Sequence, residues 1–213
     1  MPYRLLIKWI MKMFRLRRNV RLGIYGPPNT GKTSLANRII SDFIGEGEWQ
    51  VSPLPHETRK IQKFKEIVLK SESGKTLEID MFDMPGIQSH KELHTDALEE
   101  FFDAGLSNED ATKRLIDATD GIAEAIRWMS RIDSAVVVLD STQSPHTKVN
   151  ALLLGVLKAH KVKVVIVANK IDLPNAKPDD IKKALPNYHV VEISLKEGTN
   201  IYKLYEAVTH HLK

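Results

Sequence analysis

Residues 26–33 read Gly26-Pro-Pro-Asn-Thr-Gly31-Lys32-Thr33. Two glycines, then a lysine and a hydroxyl at this spacing match the loop that cradles phosphate groups. The chemistry needs these residue types. Several phosphate charges must be met by backbone N–H groups converging at a helix N-terminus, and glycines let the chain curl that tightly. Lys32 then reaches the outer phosphates, and the Thr33 hydroxyl is a ligand for Mg²⁺. Asn29, Thr30, Gly31 and Ser34 complete the candidate phosphate-binding set.

Three further groups follow in order. Asp83-Met-Pro-Gly86 supplies a carboxylate able to hold Mg²⁺ through water and, at Gly86, an N–H for a γ-phosphate. On its own, Asp-x-x-Gly is also an ordinary turn. Asn169-Lys170-Ile171-Asp172 supplies an acid that can accept two hydrogen bonds from the N1 and N2 edge of guanine. Adenine lacks that donor pair, so Asp172 would select GTP over ATP. Asn169 would bridge toward the phosphate loop, and the Lys170 stem would cover the base. Ser194-Leu195-Lys196 places a backbone N–H, that of Leu195, where it can meet the guanine carbonyl oxygen. Each of the four groups follows an apolar segment of strand character.

The elements that must position these groups can be read from periodicity. A buried strand is expected over 20–25 and a helix from about Gly31 to Ile44. A hairpin is expected from 61–69 and 76–82 around Ser73-Gly74. Residues 87–131 read as mainly helical. Strands then alternate with helices: 135–139, a helix over 148–159, 162–168, a short helix over 179–185, 190–193, and a last helix from about Asn200 to His211. This order predicts an α/β domain, a mostly parallel sheet of about six strands with helices on both faces. Trp49 and Trp128 read as packing residues, and His210-His211 as imidazoles suited to a helix C-terminus.

The four motifs together resemble the P-loop GTPase superfamily. Their wording is closest to the Era-like, translation-factor-related branch, in Asn29, in Asp-x-Pro-Gly-Ile at 83–87 and in Glu57-Thr58-Arg59. The likeness covers residues 19–213. It implies a G domain that binds GTP and GDP and hydrolyses GTP with Mg²⁺. It implies that Thr33, Thr58 and Asp83 place the metal, and that Lys32, Thr58 and Gly86 serve the reaction. It implies nucleotide contacts from Asn29 through Ser34, from Asn169, Lys170 and Asp172, and from Ser194, Leu195 and Lys196. Ile87 stands where Ras-like members carry a water-orienting glutamine. In several relatives the residue matching Asn29 helps hold K⁺, so K⁺-stimulated hydrolysis is one expectation. A purely loop-shaping role for Asn29 is the other. Ile87 also leaves open a non-hydrolysing scaffold that uses GTP only to order its switch loops.

Composition bounds the rest. The chain has 213 residues, 42% hydrophobic, and no cysteine. A disulfide scaffold and thiol chemistry are excluded, and the composition fits a cytoplasmic protein. The net charge of +4 is unevenly spread: residues 1–18 carry +6 and residues 92–124 carry −8. The high isoelectric point is therefore no argument for nucleic-acid binding. The acidic stretch reads as an insertion, either a solvated face or a surface for an effector protein. Residues 4–17 read as a helix, apolar around most of its circumference, with Arg4, Lys8, Lys12 and Arg15 in one stripe. Such a helix must be covered. Its own G domain, an anionic membrane surface and a partner all fit. The domains expected are thus 1–18 and 19–213. No room is left after the last motif for the RNA-binding domain of Era itself. Pairing of two chains through their switch regions stays open.

Overall fold

The computed structural model describes residues 19–44, 61–86 and 125–212. The expected helix over 4–17, the loop carrying Thr58, Ile87 and the acidic segment 92–124 lie outside the described residues. The elements are β1 (Val20–Tyr25), α1 (Lys32–Phe43), β2 (Gln62–Lys70), β3 (Thr76–Asp83), β4 (Ser134–Asp140), α2 (Lys148–Ala159), β5 (Lys163–Asn169), α3 (Pro178–Ala184), β6 (His189–Glu192) and α4 (Ile201–His211). Residues 125–128 are helical and run into a 3-10 turn, Met129–Arg131, before β4.

The six strands form one sheet in the order β2-β3-β1-β4-β5-β6. Only β2 is antiparallel, paired to β3 as the expected hairpin. The other pairings are parallel. Sequence explains the difference. The β4 run Ser-Ala-Val-Val-Val-Leu-Asp is buried up to Leu139, as a strand covered on both faces must be. The edge strand β2 buries only Phe64, Ile67 and Leu69, and a bulge between Phe64 and Ile67 shifts its register.

Alternation along β4 divides the core. Val136 and Val138 face one layer with Leu35, Ile39 and Ile40 of α1 and Leu204 and Val208 of α4. Ala135, Val137 and Leu139 face the other, with Leu153 and Leu157 of α2, Ile181 of α3 and Met129. Each of the larger side chains here, the valines, leucines, isoleucines and methionine, contributes about 1.5–3 kcal/mol when fully buried. Trp128 packs at 4.9 Å from the Phe82 ring, as a packing residue should.

Several boundaries move by about one residue from the sequence expectation, and two of the shifts have local reasons. The strand expected from Val162 starts at Lys163, because the Val162 N–H donates to Leu157 O at 3.0 Å and closes the end of α2. The helix expected from Asp179 starts at Pro178, whose missing N–H and fixed φ suit a first helical position.

The arrangement puts the carboxyl ends of β1, β3, β4, β5 and β6 on one rim. Strand β1 lies between β3 and β4, so strand order reverses there. A crevice outside the strand ends at such a reversal is where open α/β sheets bind ligands.

Candidate functional site

The chain leaves β1 through Gly26 and enters α1 through Gly31, and both glycines are required. Gly26 has φ +147°, and a Cβ there would lie 2.2 Å from Val138 O. Gly31 has φ +101°, and a Cβ there would lie 2.5 Å from Asn169 Nδ2. Between them Asn29 takes φ +57°, a left-handed conformation that asparagine tolerates. The Thr30 hydroxyl donates to Pro27 O at 3.0 Å and braces the curl. No side chain caps α1 and no acid occupies its first turn, so its field is left to act on an anion.

Lys32 is 6% exposed and its ammonium donates to Pro27 O at 2.6 Å. Burial pushes its pKa down to about 8, against the pull of Asp83. Asp83 is fully buried at the end of β3. The register of β1 on β3 sets Asp83 beside Ile24, one turn from the loop. Its Oδ2 accepts from the Thr33 hydroxyl at 2.8 Å. Its Oδ1 has no hydrogen-bond partner among the described residues. Burial pushes this carboxyl up to about 6, opposed by the Thr33 bond and by Lys32. A buried carboxylate oxygen without a donor is costly. Beside a threonine hydroxyl it forms part of an all-oxygen donor set, which suits a hard cation such as Mg²⁺. Gly86 packs against the loop, since a Cβ there would sit 3.0 Å from Pro28 atoms.

The other two motifs meet at the ends of β5 and β6. Asn169 is buried and bridges in both directions. Its Nδ2 donates to Thr30 O at 2.9 Å, and its Oδ1 accepts from Leu195 N at 3.1 Å. One amide thus ties the phosphate loop to the Ser194-Leu195-Lys196 turn. Lys170 follows at φ +66° and its ammonium donates to Asp140 Oδ2 at 2.6 Å. Asp172 is exposed, and its Oδ1 accepts from the Ser194 hydroxyl at 2.6 Å. That bond, ahead of all other causes, holds the Asp172 carboxyl below the usual carboxylate range. Ser194 is itself fully buried and its Oγ accepts from Glu197 N at 3.0 Å, so its orientation is fixed.

These residues enclose a cavity of about 510 Å³. Its walls include Asn29, Gly31 and Ser34 from the loop and α1, Asn169, Lys170, Asp172 and Leu173 from the end of β5, and Leu195 and Lys196 beyond β6. The size suits a small-molecule ligand. Of the candidate nucleotide, metal and catalytic residues read from sequence, Thr58 alone lies outside the described ones. Three neighbours were not anticipated, among them Leu173, which lines the cavity one residue past Asp172. Arg38 lines the cavity from α1, its Nε donating to Asp42 at 2.9 Å. Asp140 anchors Lys170. A signal for Asp140 did exist, since it ends an apolar strand on the same rim as Asp83 and Asn169. No spacing pattern marks Arg38.

The family model of the elongation factor Tu GTP binding domain matches residues 17–213. Elongation factor 4 of Campylobacter hominis is 27% identical over 84% of this chain and 27% of its own length. The tRNA modification GTPase MnmE of Parasynechococcus marenigrum is 30% identical over 91% of this chain and 34% of its own length. The chain therefore spans about a third or less of the curated relatives it matches. Among solved structures, a variant of Aquifex aeolicus Era bound to GDP and AlF4⁻ superposes with TM-score 0.64 at 22% identity, over 92% of this chain and 58% of that one. Era in complex with MgGDPNP and a segment of 16S ribosomal RNA gives TM-score 0.65 at 21% identity, covering 57% of that chain. These two share the fold. The model match spans nearly the whole chain, and all four motifs stand on one rim of the sheet: the chain belongs to the elongation factor Tu GTP-binding domain family and is a P-loop GTPase domain.

Proposed function

We propose that this domain binds GTP and GDP with Mg²⁺, hydrolyses GTP, and works as a switch through the difference between the two states. The observation that carries the reading is Asn169, whose amide bonds Thr30 O in the loop that carries Lys32 and Thr33, and Leu195 N in the turn whose Ser194 holds Asp172. This supports phosphate chemistry and base selection side by side on one rim.

The reaction is in-line attack of water on the γ-phosphate, with catalysis by position and charge. The loop amides from Asn29 to Ser34 hold the phosphate chain. The Lys32 ammonium leaves Pro27 O for the phosphate oxygens, where its charge stabilises the transition state. Thr33 and Asp83 would hold Mg²⁺, joined by Thr58 when GTP is bound, and the ion would supply positive charge to stabilise the phosphates. Gly86 offers its N–H to the γ-phosphate, and its close fit against Pro28 couples that contact to the phosphate loop. Asp172, oriented by Ser194, accepts from guanine N1 and N2.

Two finer points belong to the same reading. The Era-like assignment within the superfamily is supported by motif wording and fold. Asn29 lines the cavity near the phosphate end, which favours K⁺ stimulation, while its left-handed φ gives it a loop-shaping role in any case. The non-hydrolysing scaffold draws only on Ile87. Partners proposed with the switch are an effector protein, an anionic surface for residues 4–17 and a nucleotide-dependent pairing of two chains. The RNA in the second Era structure is a ligand of Era and is not carried over.

Competition binding tests the reading. A labelled GDP bound in Mg²⁺ should be displaced by GTP and GDP and not by ATP; displacement by ATP at equal concentration contradicts it. The raised Asp83 carboxyl adds a pH signature. With its pKa pushed up to about 6 by burial, this carboxylate is available above that pH and protonated below it. Protons then compete with Mg²⁺, so apparent Mg²⁺ affinity should be flat above about pH 7 and fall about tenfold per unit below about pH 6. Mg²⁺ titrations of GDP release from pH 5 to 8 on the parent and on Asp83→Asn measure this against the titration of the nucleotide's own phosphate, and identical pH profiles remove Asp83 as the metal's carboxylate.

A further inference from the structure

The Asp140 carboxylate lies outside the cavity wall, yet it is more fully committed than most groups inside it. Its Oδ2 accepts from the Lys170 ammonium at 2.6 Å. Its Oδ1 accepts from the Thr142 N–H at 2.8 Å and from the Thr142 hydroxyl at 2.7 Å. The side chain is 11% exposed, against 32% for Lys170. Three donors from two loops therefore fix one carboxylate before any ligand arrives.

The placement follows from the sheet. Strands β4 and β5 are parallel neighbours, with Asp140 in register with Asn169. The carboxylate thus stands at the root of the Asn169–Asp172 loop. The backbone beside it is pinned as well. Ser141 N donates to Asn169 O at 2.9 Å, and Lys177 N, beyond the loop, donates to Ser141 O at 2.7 Å. Lys170 takes φ +66°, a conformation that a non-glycine residue holds only when its surroundings impose it.

A lysine stem is a poor wall by itself. Its several rotatable bonds must be frozen to cover a ligand face, and that entropy would be lost on binding. An anchored ammonium removes most of that loss in advance. We propose that Asp140 is a positioning residue for base recognition: by fixing the Lys170 ammonium it holds the lysine stem across the cavity as a rigid cover for the purine face. The proposal rests on the guanine-nucleotide reading of the site. It assigns Asp140 no contact with the nucleotide.

The test is a double-mutant cycle on GDP affinity in Mg²⁺, with GDP dissociation rate as second readout. Asp140→Asn should weaken GDP binding about tenfold, as expected when a charge-assisted hydrogen bond that orders a binding group is lost. Lys170→Ala should weaken it at least as much. The double variant should be no weaker than Lys170→Ala alone, because Asp140 acts through Lys170. Asp140→Glu keeps the charge and should recover part of the loss. Preference for GDP over inosine diphosphate, set at Asp172, should not change in Asp140→Asn. A general loosening of the loop would instead lower that preference and make the two effects multiply. Multiplying effects, or an Asp140→Asn protein that binds GDP within twofold of the parent, overturns the proposal alone. A parent protein that binds no guanine nucleotide overturns the functional reading and the proposal together.

Discussion

Replacing Asp172 by Asn should move nucleotide preference from guanine to xanthine. The Asp172 carboxylate uses Oδ1 for the Ser194 hydroxyl, and the residue lines the cavity. An asparagine can keep the Ser194 bond through its amide oxygen. Its NH₂ group would then meet the N1–H and N2 donors of guanine, donor against donor. Xanthine carries an oxygen where guanine has the 2-amino group, so that NH₂ gains an acceptor. A site built to hydrogen-bond one base rejects a mismatched one by orders of magnitude, and the GTP-to-XTP affinity ratio should shift by about 10³ or more. Equal loss for both nucleotides would mean that Asp172 supports the loop and does not read the base. Because the fold around Ser194 is preserved, melting of the ligand-free protein should hardly change.

Lys32→Met should separate function from stability. The Lys32 ammonium is buried, and burial has pushed its pKa down to about 8. For a base, a lowered pKa means that the charged form is the disfavoured one in the fold. That cost is fully present below about pH 8 and fades as pH rises toward the usual lysine value. Methionine has a similar shape and no charge, so the empty domain should melt no lower than the parent at pH 7. Turnover should nonetheless fall by about 10² to 10³, the range for loss of one group that stabilises developing charge. Affinity for GTP should fall as well. A variant that melts far lower, with affinity tracking melting, would reduce Lys32 to a structural residue.

Much of this was legible in sequence for a simple reason. Strand ends in a parallel sheet share one rim, so a chemical residue directly after an apolar run is placed even before the strand order is known. Asp83, Asn169 and Ser194 were found that way. Asp140 obeys the same rule but passes unnoticed, because no phosphate or base needs it and its partner Lys170 lies 30 positions on. Arg38 was out of reach for another reason. It lies in the middle of an amphipathic helix, and only packing decides that it borders the cavity and the turn at Gly198. The close fit of Gly86 on Pro28 was equally hidden, since it depends on the register between β1 and β3.

The central claim is guanine-specific hydrolysis, and one assay meets it directly. Phosphate release is followed with Mg²⁺ on GTP and on ATP, in KCl and in NaCl at matched ionic strength. The account predicts turnover on GTP only, slow and on the order of 10⁻⁴ to 10⁻² s⁻¹ without an activator, and faster in KCl through Asn29. Equal turnover in the two salts would remove Asn29 from the chemistry and leave the hydrolase intact. Hydrolysis of ATP at the rate of GTP, or no release from bound GTP in either salt, would contradict the account.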